Sequence, residues 1–132
     1  DIQAGGILAI DESLTGEDQQ KVLDFARPST ALYVGGMGAR GKNFYNDICT
    51  AYGYEEEAKL VQDLYLDGKK EEAAGAVPTE MLELTNLVGP KSYIAERVAA
   101  FKEAGVTVLS VNPVGPDAAK QIEILRDIVD SI

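Results

Sequence analysis

Histidine is absent from the 132 residues of this sequence. A Ser-His-Asp or Cys-His catalytic group within the chain is therefore excluded, as are most kinds of zinc site. There is a single cysteine, Cys49, so no disulfide can form within the chain. We expect Cys49 to be a packed thiol and the protein to work in a reducing compartment, the cytoplasm.

Basic residues are scarce: the chain has 12 lysines and arginines but 22 aspartates and glutamates. Its net charge is therefore −10. A chain of this charge repels nucleic acid and anionic membrane surfaces, so we expect neither as a partner. No apolar run approaches the roughly 20 residues of a membrane span, and no signal peptide is evident. With 45% hydrophobic residues, the composition is that of a soluble globular protein with one core.

The hydrophobic pattern changes twice along the chain. Residues 1–28 predict a strand and then a helix, with Gly5–Gly6 as a bend or bulge in the strand and Pro28 ending the helix. Residues 29–84 predict a series of helices. Residues 85–132 predict strand, helix, strand and helix, a βαβα unit of the kind that builds parallel sheets. The predicted class is α/β, with about three strands and many helices.

Several boundaries are predicted in more detail. Thr15 and Asp18 fit a capping box at the start of the first helix. A short helix is predicted over 29–34, ended by the glycines that follow. The clearest strand is predicted over 106–111, because it is β-branched and compact. Asn112 would then lie in the loop after that strand.

The ends and apolar faces of the helices are also predicted. Gly53, Gly68 and Gly105 are each expected to end a helix. The apolar side of the first helix would be formed by Val22, Leu23 and Phe25. Asp117 is expected to cap a last helix, and the residues expected to point inward from that end of the chain are Ile122, Leu125, Ile128, Val129 and Ile132.

The stretch 31–44, ALYVGGMGARGKNF, combines four glycines with two cations. Gly36-x4-Gly41-Lys42 matches a phosphate loop up to its lysine, but Asn43 stands where a serine or threonine would hold magnesium. The same glycines fit the dinucleotide-binding fingerprint, although no secure strand precedes them. Nucleotide binding through Gly36–Lys42 is therefore kept as an alternative.

Candidate binding residues come from this stretch and from one strand end. At the C-terminal end of a barrel strand a polar residue lies on the catalytic face, which makes Asn112 a candidate. The full set is Gly35, Gly36, Gly38, Arg40, Lys42 and Asn112. The segment Gly6–Ser13 is similar to a motif of class I fructose-bisphosphate aldolases, but no strand here ends in the required lysine. We assign no catalytic residue and expect no metal site.

Several separated motifs, in order along 22–112, together resemble the C-terminal part of luciferase-like monooxygenases. The branch they resemble uses the deazaflavin coenzyme F-420. These motifs are Tyr33–Tyr45 (YVGGMGARGKNFY), Tyr52–Tyr54, Asp63–Lys70, Ala76–Pro78, Leu87–Pro90 and Ala95–Val106. The resemblance implies part of a (β/α)8 TIM barrel in which residues 2–10, 87–88 and 106–111 are the sixth, seventh and eighth strands. It also implies that residues 29–84 are a helical insertion before the seventh strand.

The resemblance further implies an oxidoreductase that transfers hydride between reduced deazaflavin, or flavin (FMN), and a small organic substrate. Much of the family's cofactor pocket comes from the first five strands, which this sequence lacks. We therefore expect a fragment that binds neither cofactor tightly and is inactive alone. Its expected partner is the missing N-terminal half of the barrel. The alternative is a non-enzymatic acidic α/β fragment that associates with itself through open sheet edges.

Overall fold

The computed structural model describes residues 1–132 and divides into two compact units. The first unit combines Asp1–Asp24 with Glu83–Ile132, and the second is Phe25–Leu82. The strands are β1 Gln3–Ile10, β2 Leu87–Gly89 and β3 Val108–Pro113. The helices are α1 Gly16–Leu23, α2 Arg27–Ala31, α3 Phe44–Ala51, α4 Glu55–Leu66, α5 Lys70–Ala76, α6 Thr79–Thr85, α7 Lys91–Glu103 and α8 Ala118–Asp130. None of these helices has the length and apolarity needed to cross a bilayer.

The first unit is built on a parallel sheet with strand order β2-β1-β3. The last three residues of β1 pair with β2, and Gln3–Leu8 pair in register with Val108–Pro113. Side chains from the sheet and from α7 and α8 form one buried cluster: Leu8, Ile10, Leu87, Ile94, Val98, Leu125 and Ile128. Three consecutive barrel strands would place β2 in the middle. Here β1 is central, with β2 along its last three residues and β3 along its first six.

The two glycines of β1 lie in regular strand pairing, so the predicted bend or bulge is wrong. Gly5 has a φ of +140°, and a Cβ there would lie 2.0 Å from the carbonyl oxygen of Ser110. Gly6 has a φ of +150°, and its Cβ would lie 2.5 Å from Oδ1 of Asn86. Glycine is needed at both positions because β1 lies against its neighbours more closely than a side chain allows.

The third strand starts two residues later than predicted, and Asn112 lies within it. The amide of Val106 donates to the carbonyl oxygen of Phe101, at 2.9 Å, and so belongs to the end of α7. Asn112 pairs in register with Ile7, and the strand continues through Pro113. The placement of Asn112 in a loop is therefore wrong.

The ends of the first and last helices agree only in part with the sequence prediction. Thr15 precedes α1 but makes no side-chain capping bond, so the capping box is not formed. Asp117 caps α8 as predicted, accepting from the amide of Lys120 at 3.0 Å. Leu125 and Ile128 of α8 are buried as predicted. Ile122 and Val129 of the same helix, and Ile132 beyond its end, were also predicted to point inward but are exposed.

The second unit is entirely helical. Its chain enters through a 3-10 turn that carries Phe25, which was expected on the buried side of the first helix but is exposed. Pro28 does not end a helix, because α2 begins at Arg27 and the proline lies in its first turn. A proline is tolerated there since the first-turn amides have no partner within the helix. A π-helical segment, Leu32–Gly36, then continues α2 without a break.

Candidate functional site

The carboxyl ends of the three strands lie at one edge of the sheet, as parallel pairing requires. Asp11 follows β1, Pro90 follows β2 and Val114 follows β3. In parallel α/β folds this is the edge where ligands bind, because the loops leaving the strands converge there. It is therefore the first place to look for chemistry in this unit.

Amide side chains from two helices fix the strand ends at this edge. Oε1 of Gln121 accepts from the amide of Ile10 at 2.7 Å, and Nε2 of Gln19 donates to the carbonyl oxygen of Val88 at 2.9 Å. The backbone adds a bond of 3.2 Å from the amide of Asp11 to the carbonyl oxygen of Gly89. The ends of β1 and β2 are thus held by α8 and α1 as well as by each other.

The loop after β1 presents two carboxylates at this edge. Oδ1 of Asp11 accepts from the hydroxyl and the amide of Ser13, at 2.6 and 2.8 Å. These two bonds, the side-chain one first, lower the pKa of Asp11. An oxygen of Glu12 accepts from the amide of Lys91 at 3.4 Å, at the first turn of α7. This part of the edge is therefore negatively charged and suited to cations or hydrogen-bond donors.

A shallow groove of about 300 Å³ lies beside these loops. Its lining comes from the loop before α1 and the start of α1, the last turn of α6, and the start of α7: Leu14, Thr15, Gly16, Gln19, Glu83, Pro90 and Tyr93. Burial raises the pKa of Tyr93; the charge of Arg97 opposes this shift, whereas Glu83 and Glu96 add to it. At neutral pH the phenol is therefore protonated and can donate a hydrogen bond.

Asn112, the candidate from the first unit, is exposed on the sheet face that α7 and α8 leave uncovered. Leu109 and Val111 pack against the core cluster beside the helices. Because side chains alternate along a strand, Asn112 lies on the opposite face. It is thus accessible to a ligand on that face.

The glycine-rich candidates lie in the second unit, where they allow helices to approach closely. A Cβ on Gly35 would lie 2.6 Å from Cβ of Tyr65 on α4, and one on Gly36 would lie 2.4 Å from the Tyr65 ring. A Cβ on Gly38 would lie 2.4 Å from the carbonyl oxygen of Lys42. The residues before these glycines are helical, so the strand that both nucleotide-binding patterns require is absent.

Asn43, which the phosphate-loop comparison treats as a missing magnesium ligand, is a buried structural residue. It is 1% exposed and caps α3, its Oδ1 accepting from the amide of Asn46 at 3.1 Å. Its Nδ2 donates to the carbonyl oxygens of Tyr33 and Val34, each at 3.0 Å. These carbonyls belong to the π-helical segment, where the regular helix bonds are displaced. Asn43 therefore ties the segment to the next helix.

The two candidate cations differ in their surroundings. Arg40 bonds Oδ1 of Asp63 through Nε at 3.1 Å and through a terminal nitrogen at 3.0 Å. Nζ of Lys59 holds the other oxygen of Asp63 at 3.0 Å. Hydrogen bonds from Lys59 and then Arg40 lower the pKa of Asp63. Lys42 is exposed at the surface. Arg40 is therefore already engaged by a carboxylate, while Lys42 remains accessible.

An aromatic group beside this stretch was not singled out from the sequence. The rings of Tyr33 and Tyr45 meet edge to face with centroids 4.9 Å apart, and the Phe44 ring lies 5.7 Å from that of Tyr45. Phe44 is 69% exposed. The sequence shows aromatic residues at positions 33, 44 and 45, but only the fold shows that their rings are in contact.

The candidates thus fall into two separate groups, Gly35–Lys42 in the second unit and Asn112 in the first. Sequence reasoning missed Tyr93, Gln121 and Asn43, whose roles depend on contacts with distant segments. Across the chain, no three His, Cys, Asp or Glu side chains are grouped so as to hold a metal ion.

The chain is similar to known proteins over most of its length. The family model for the luciferase-like monooxygenases matches residues 13–108. The chain is 31% identical over 123 residues to a Mycobacterium tuberculosis protein provisionally named a coenzyme F-420-dependent oxidoreductase, a match covering 93% of this chain and 35% of that protein. It also resembles the solved coenzyme F-420-dependent tetrahydromethanopterin reductase of Methanopyrus kandleri, with a TM-score of 0.62, 24% identity, and coverage of 95% of this chain and 33% of that one.

These comparisons confirm the predicted fold class: a helix-rich α/β chain with three parallel strands, similar to part of a luciferase-like TIM barrel. The structural likeness, at 24% identity, carries the fold alone. The chain spans about a third of the length of both relatives.

Proposed function

This chain belongs to the luciferase-like monooxygenase family, and from that premise we propose that it is part of an oxidoreductase that transfers hydride between a deazaflavin and an organic substrate. Coenzyme F-420 is the proposed cofactor, with FMN as the alternative. The observation that carries the proposal is the 31% identity, over 93% of the chain, to a protein whose name specifies coenzyme F-420. The substrate is a small molecule, and the single reduced cysteine supports a cytoplasmic location.

The residues in this chain do not by themselves fit such a cofactor. A flavin or deazaflavin carries an anionic tail, and the sheet edge offers it the carboxylates of Asp11 and Glu12. The groove beside them, about 300 Å³, is at the lower limit of ordinary ligand pockets. Arg40 already binds Asp63. We therefore assign no chemical step to this chain, and propose that the remaining strands of the barrel supply most of the cofactor site.

For the intact protein, we propose a binding role for the candidate residues of each unit separately. The stretch Gly35–Lys42 would contribute the accessible cation Lys42 to binding an anionic group. Asn112 would contribute its amide from the exposed face of β3. Its exposure on that face is the supporting observation, because barrel interiors are formed by the sheet face opposite the helices.

The proposal is tested by titrating coenzyme F-420 and FMN separately, following their fluorescence, into this chain and into a longer protein. The longer protein includes the upstream coding sequence, extended to the length of the relatives. We expect saturable binding of F-420 to the longer protein and none to the 132 residues. If the longer protein binds neither cofactor, the assignment of an F-420- or flavin-dependent enzyme is wrong. If the short chain binds as tightly, the claim that its site is incomplete is wrong.

A further inference from the structure

Arg40 lies at the corner of a tight turn between the π-helical segment and α3. The amide of Lys42 donates to the carbonyl oxygen of Ala39 at 2.9 Å, which closes a four-residue turn. Gly41 has a φ of +78°, as the third residue of a type II turn requires, and a Cβ there would meet no atom within 4 Å. The backbone of the turn is therefore held by its own bond and by glycine, and Arg40 occupies its second position.

An ion pair joins this turn to α4. Nε and one terminal nitrogen of Arg40 both bond Oδ1 of Asp63, at 3.1 and 3.0 Å. The other oxygen of Asp63 is bonded by Nζ of Lys59, one helical turn earlier on α4, at 3.0 Å. Because Lys59 occupies that oxygen, the two nitrogens of Arg40 share a single acceptor atom.

This ion pair is a weaker arrangement than a guanidinium can form. A carboxylate or phosphate with two free oxygens accepts two parallel bonds from one edge of an arginine, one on each oxygen, and such pairing is stronger than a single contact. The side chains of Arg40 and Asp63 are 60% and 38% exposed, so water screens their attraction. A bidentate oxyanion can therefore replace Asp63 at little cost in stability.

A second cation lies in the same turn. Lys42 follows Arg40 by two positions and is exposed. While Arg40 is bound to Asp63, one of the two positive charges of the turn is neutralised. Release of Arg40 thus doubles the charge that the turn offers to an anion.

We propose that Asp63 is an internal substitute for an oxyanion: it holds Arg40 until a phosphate or carboxylate group of a ligand displaces it and binds Arg40 together with Lys42. The inference rests on the proposed role of Gly35–Lys42 in binding an anionic group. It adds that Arg40 takes part in that binding and that Asp63 opposes it. The ion pair is then an autoinhibitory contact within the second unit, and its replacement leaves Asp63 bonded to Lys59 alone.

The test titrates inorganic pyrophosphate and, separately, succinate into the nitrogen-15-labelled chain, without magnesium and at constant ionic strength. The signal is the Nε–H resonance of Arg40, assigned by its loss in Arg40→Gln. Asp63→Asn removes the charge that holds Arg40. The matched control is Asp67→Asn, which removes the same charge from a carboxylate paired with another cation, Lys69, at 3.5 Å. Circular dichroism establishes that the variants are folded.

We expect at least one of the two anions to shift the Arg40 resonance in a saturable way. Its dissociation constant should fall about two- to fivefold in Asp63→Asn, equivalent to about 0.4–1 kcal/mol, the range of an exposed ion pair. The constant should stay unchanged in Asp67→Asn. Measured on backbone amides of the turn, the gain should disappear when Asp63→Asn is combined with Arg40→Gln.

The proposal is overturned if neither anion shifts the Arg40 resonance, if the two asparagine variants strengthen binding equally, or if the gain persists without Arg40. A response to pyrophosphate alone supports the proposal and identifies a phosphate group, and a response to succinate alone supports it and identifies a carboxylate. None of these measurements uses coenzyme F-420. Failure of the longer protein to bind F-420 overturns the proposed function and leaves these results unchanged, so the two failures are distinguishable.

Discussion

Gly35 lies against Tyr65 so closely that a Cβ on residue 35 would stand 2.6 Å from Cβ of the tyrosine and 3.0 Å from the carbonyl oxygen of Val61. Both contact atoms are fixed by the backbone of α4, so neither can rotate away. The glycine therefore sets the separation between the π-helical segment and α4. Residue 35 therefore has to be glycine because of this packing, and not because the chain forms a phosphate-binding loop there.

Replacing Gly35 with alanine should destabilise the protein by about 1–3 kcal/mol, the usual cost of forcing extra volume into a packed site. The matched control is Gly75→Ala on α5, where a Cβ meets nothing within 4 Å. That change should stabilise the protein by about 0.5–1 kcal/mol, because alanine favours a helix. Urea unfolding of both variants measures the difference. Equal effects at the two positions would contradict the packing role.

Asn43→Ala should cost about 1–3 kcal/mol, because it removes a helix cap and the bonds donated to the carbonyl oxygens of Tyr33 and Val34, although the Val34 oxygen keeps a bond from Nδ2 of Asn46. Asn43→Asp keeps the capping oxygen but sets a carboxylate against those carbonyls, so it should also destabilise. Thermal unfolding of the two variants separates the cap from the donated bonds.

Asn43→Ser distinguishes this structural role from the nucleotide-binding alternative, since it restores the hydroxyl of the phosphate-loop pattern. We expect a less stable protein that still does not bind ATP-magnesium in a calorimetric titration. Magnesium-dependent ATP binding by this variant would support the alternative.

The carboxyl of Asp63 should titrate below its ordinary pKa, because Lys59 and Arg40 both donate to it. Lys59→Gln should raise its pKa more than Arg40→Gln does, since Lys59 is the larger cause. A pKa lowered in the folded state contributes stability above the unfolded pKa, and this contribution is lost as the pH falls through the folded pKa. Carbon-13 NMR titration of the wild type and both variants measures these shifts, and a pKa of Asp63 that neither substitution raises would contradict the observed ion pairs.

Gln121→Ala should destabilise the first unit by about 1–3 kcal/mol, because the amide of the buried residue Ile10 loses its acceptor. Gln121→Glu retains an acceptor oxygen and should cost much less. Lys120→Ala, at the exposed neighbouring position on α8, is the control for helix effects. Hydrogen exchange at Ile10 should accelerate in Gln121→Ala alone.

Features that depend on a few adjacent residues were predictable from the sequence. Gly53, Gly68 and Gly105 were expected to end helices, and they do so with φ values of +95°, +81° and +94°. Asp117 was expected to cap the last helix, and its carboxylate accepts from Lys120. In each case the preference is a property of the local backbone, so neighbouring residues decide it.

Features that depend on distant contacts were not predictable in the same way. Gly35 and Gly36 allow close packing against Tyr65, which lies about thirty positions later in the sequence. Without that contact in view, the glycine-rich stretch fits two nucleotide-binding patterns. The strand β3 starts later than predicted because the amide of Val106 donates to the carbonyl oxygen of Phe101 and so belongs to the end of α7. Pro28 was misjudged because a proline can either stop a helix or occupy its first turn. Which of these two roles Pro28 takes depends on the 3-10 turn Asp24–Ala26, which leads directly into α2.

The first compact unit is assembled from two stretches of chain with the whole of the second unit between them. The bond from the amide of Ile2 to the hydroxyl of Thr107 spans 105 positions of sequence. The contacts of the helical unit are local by comparison, and local contacts form faster because their loops cost less entropy to close. On a ribosome, the helices of 25–82 therefore can form before β2 and β3 have been synthesised. The strand β1 is separated along the chain from both strands that pair with it here by the whole helical unit.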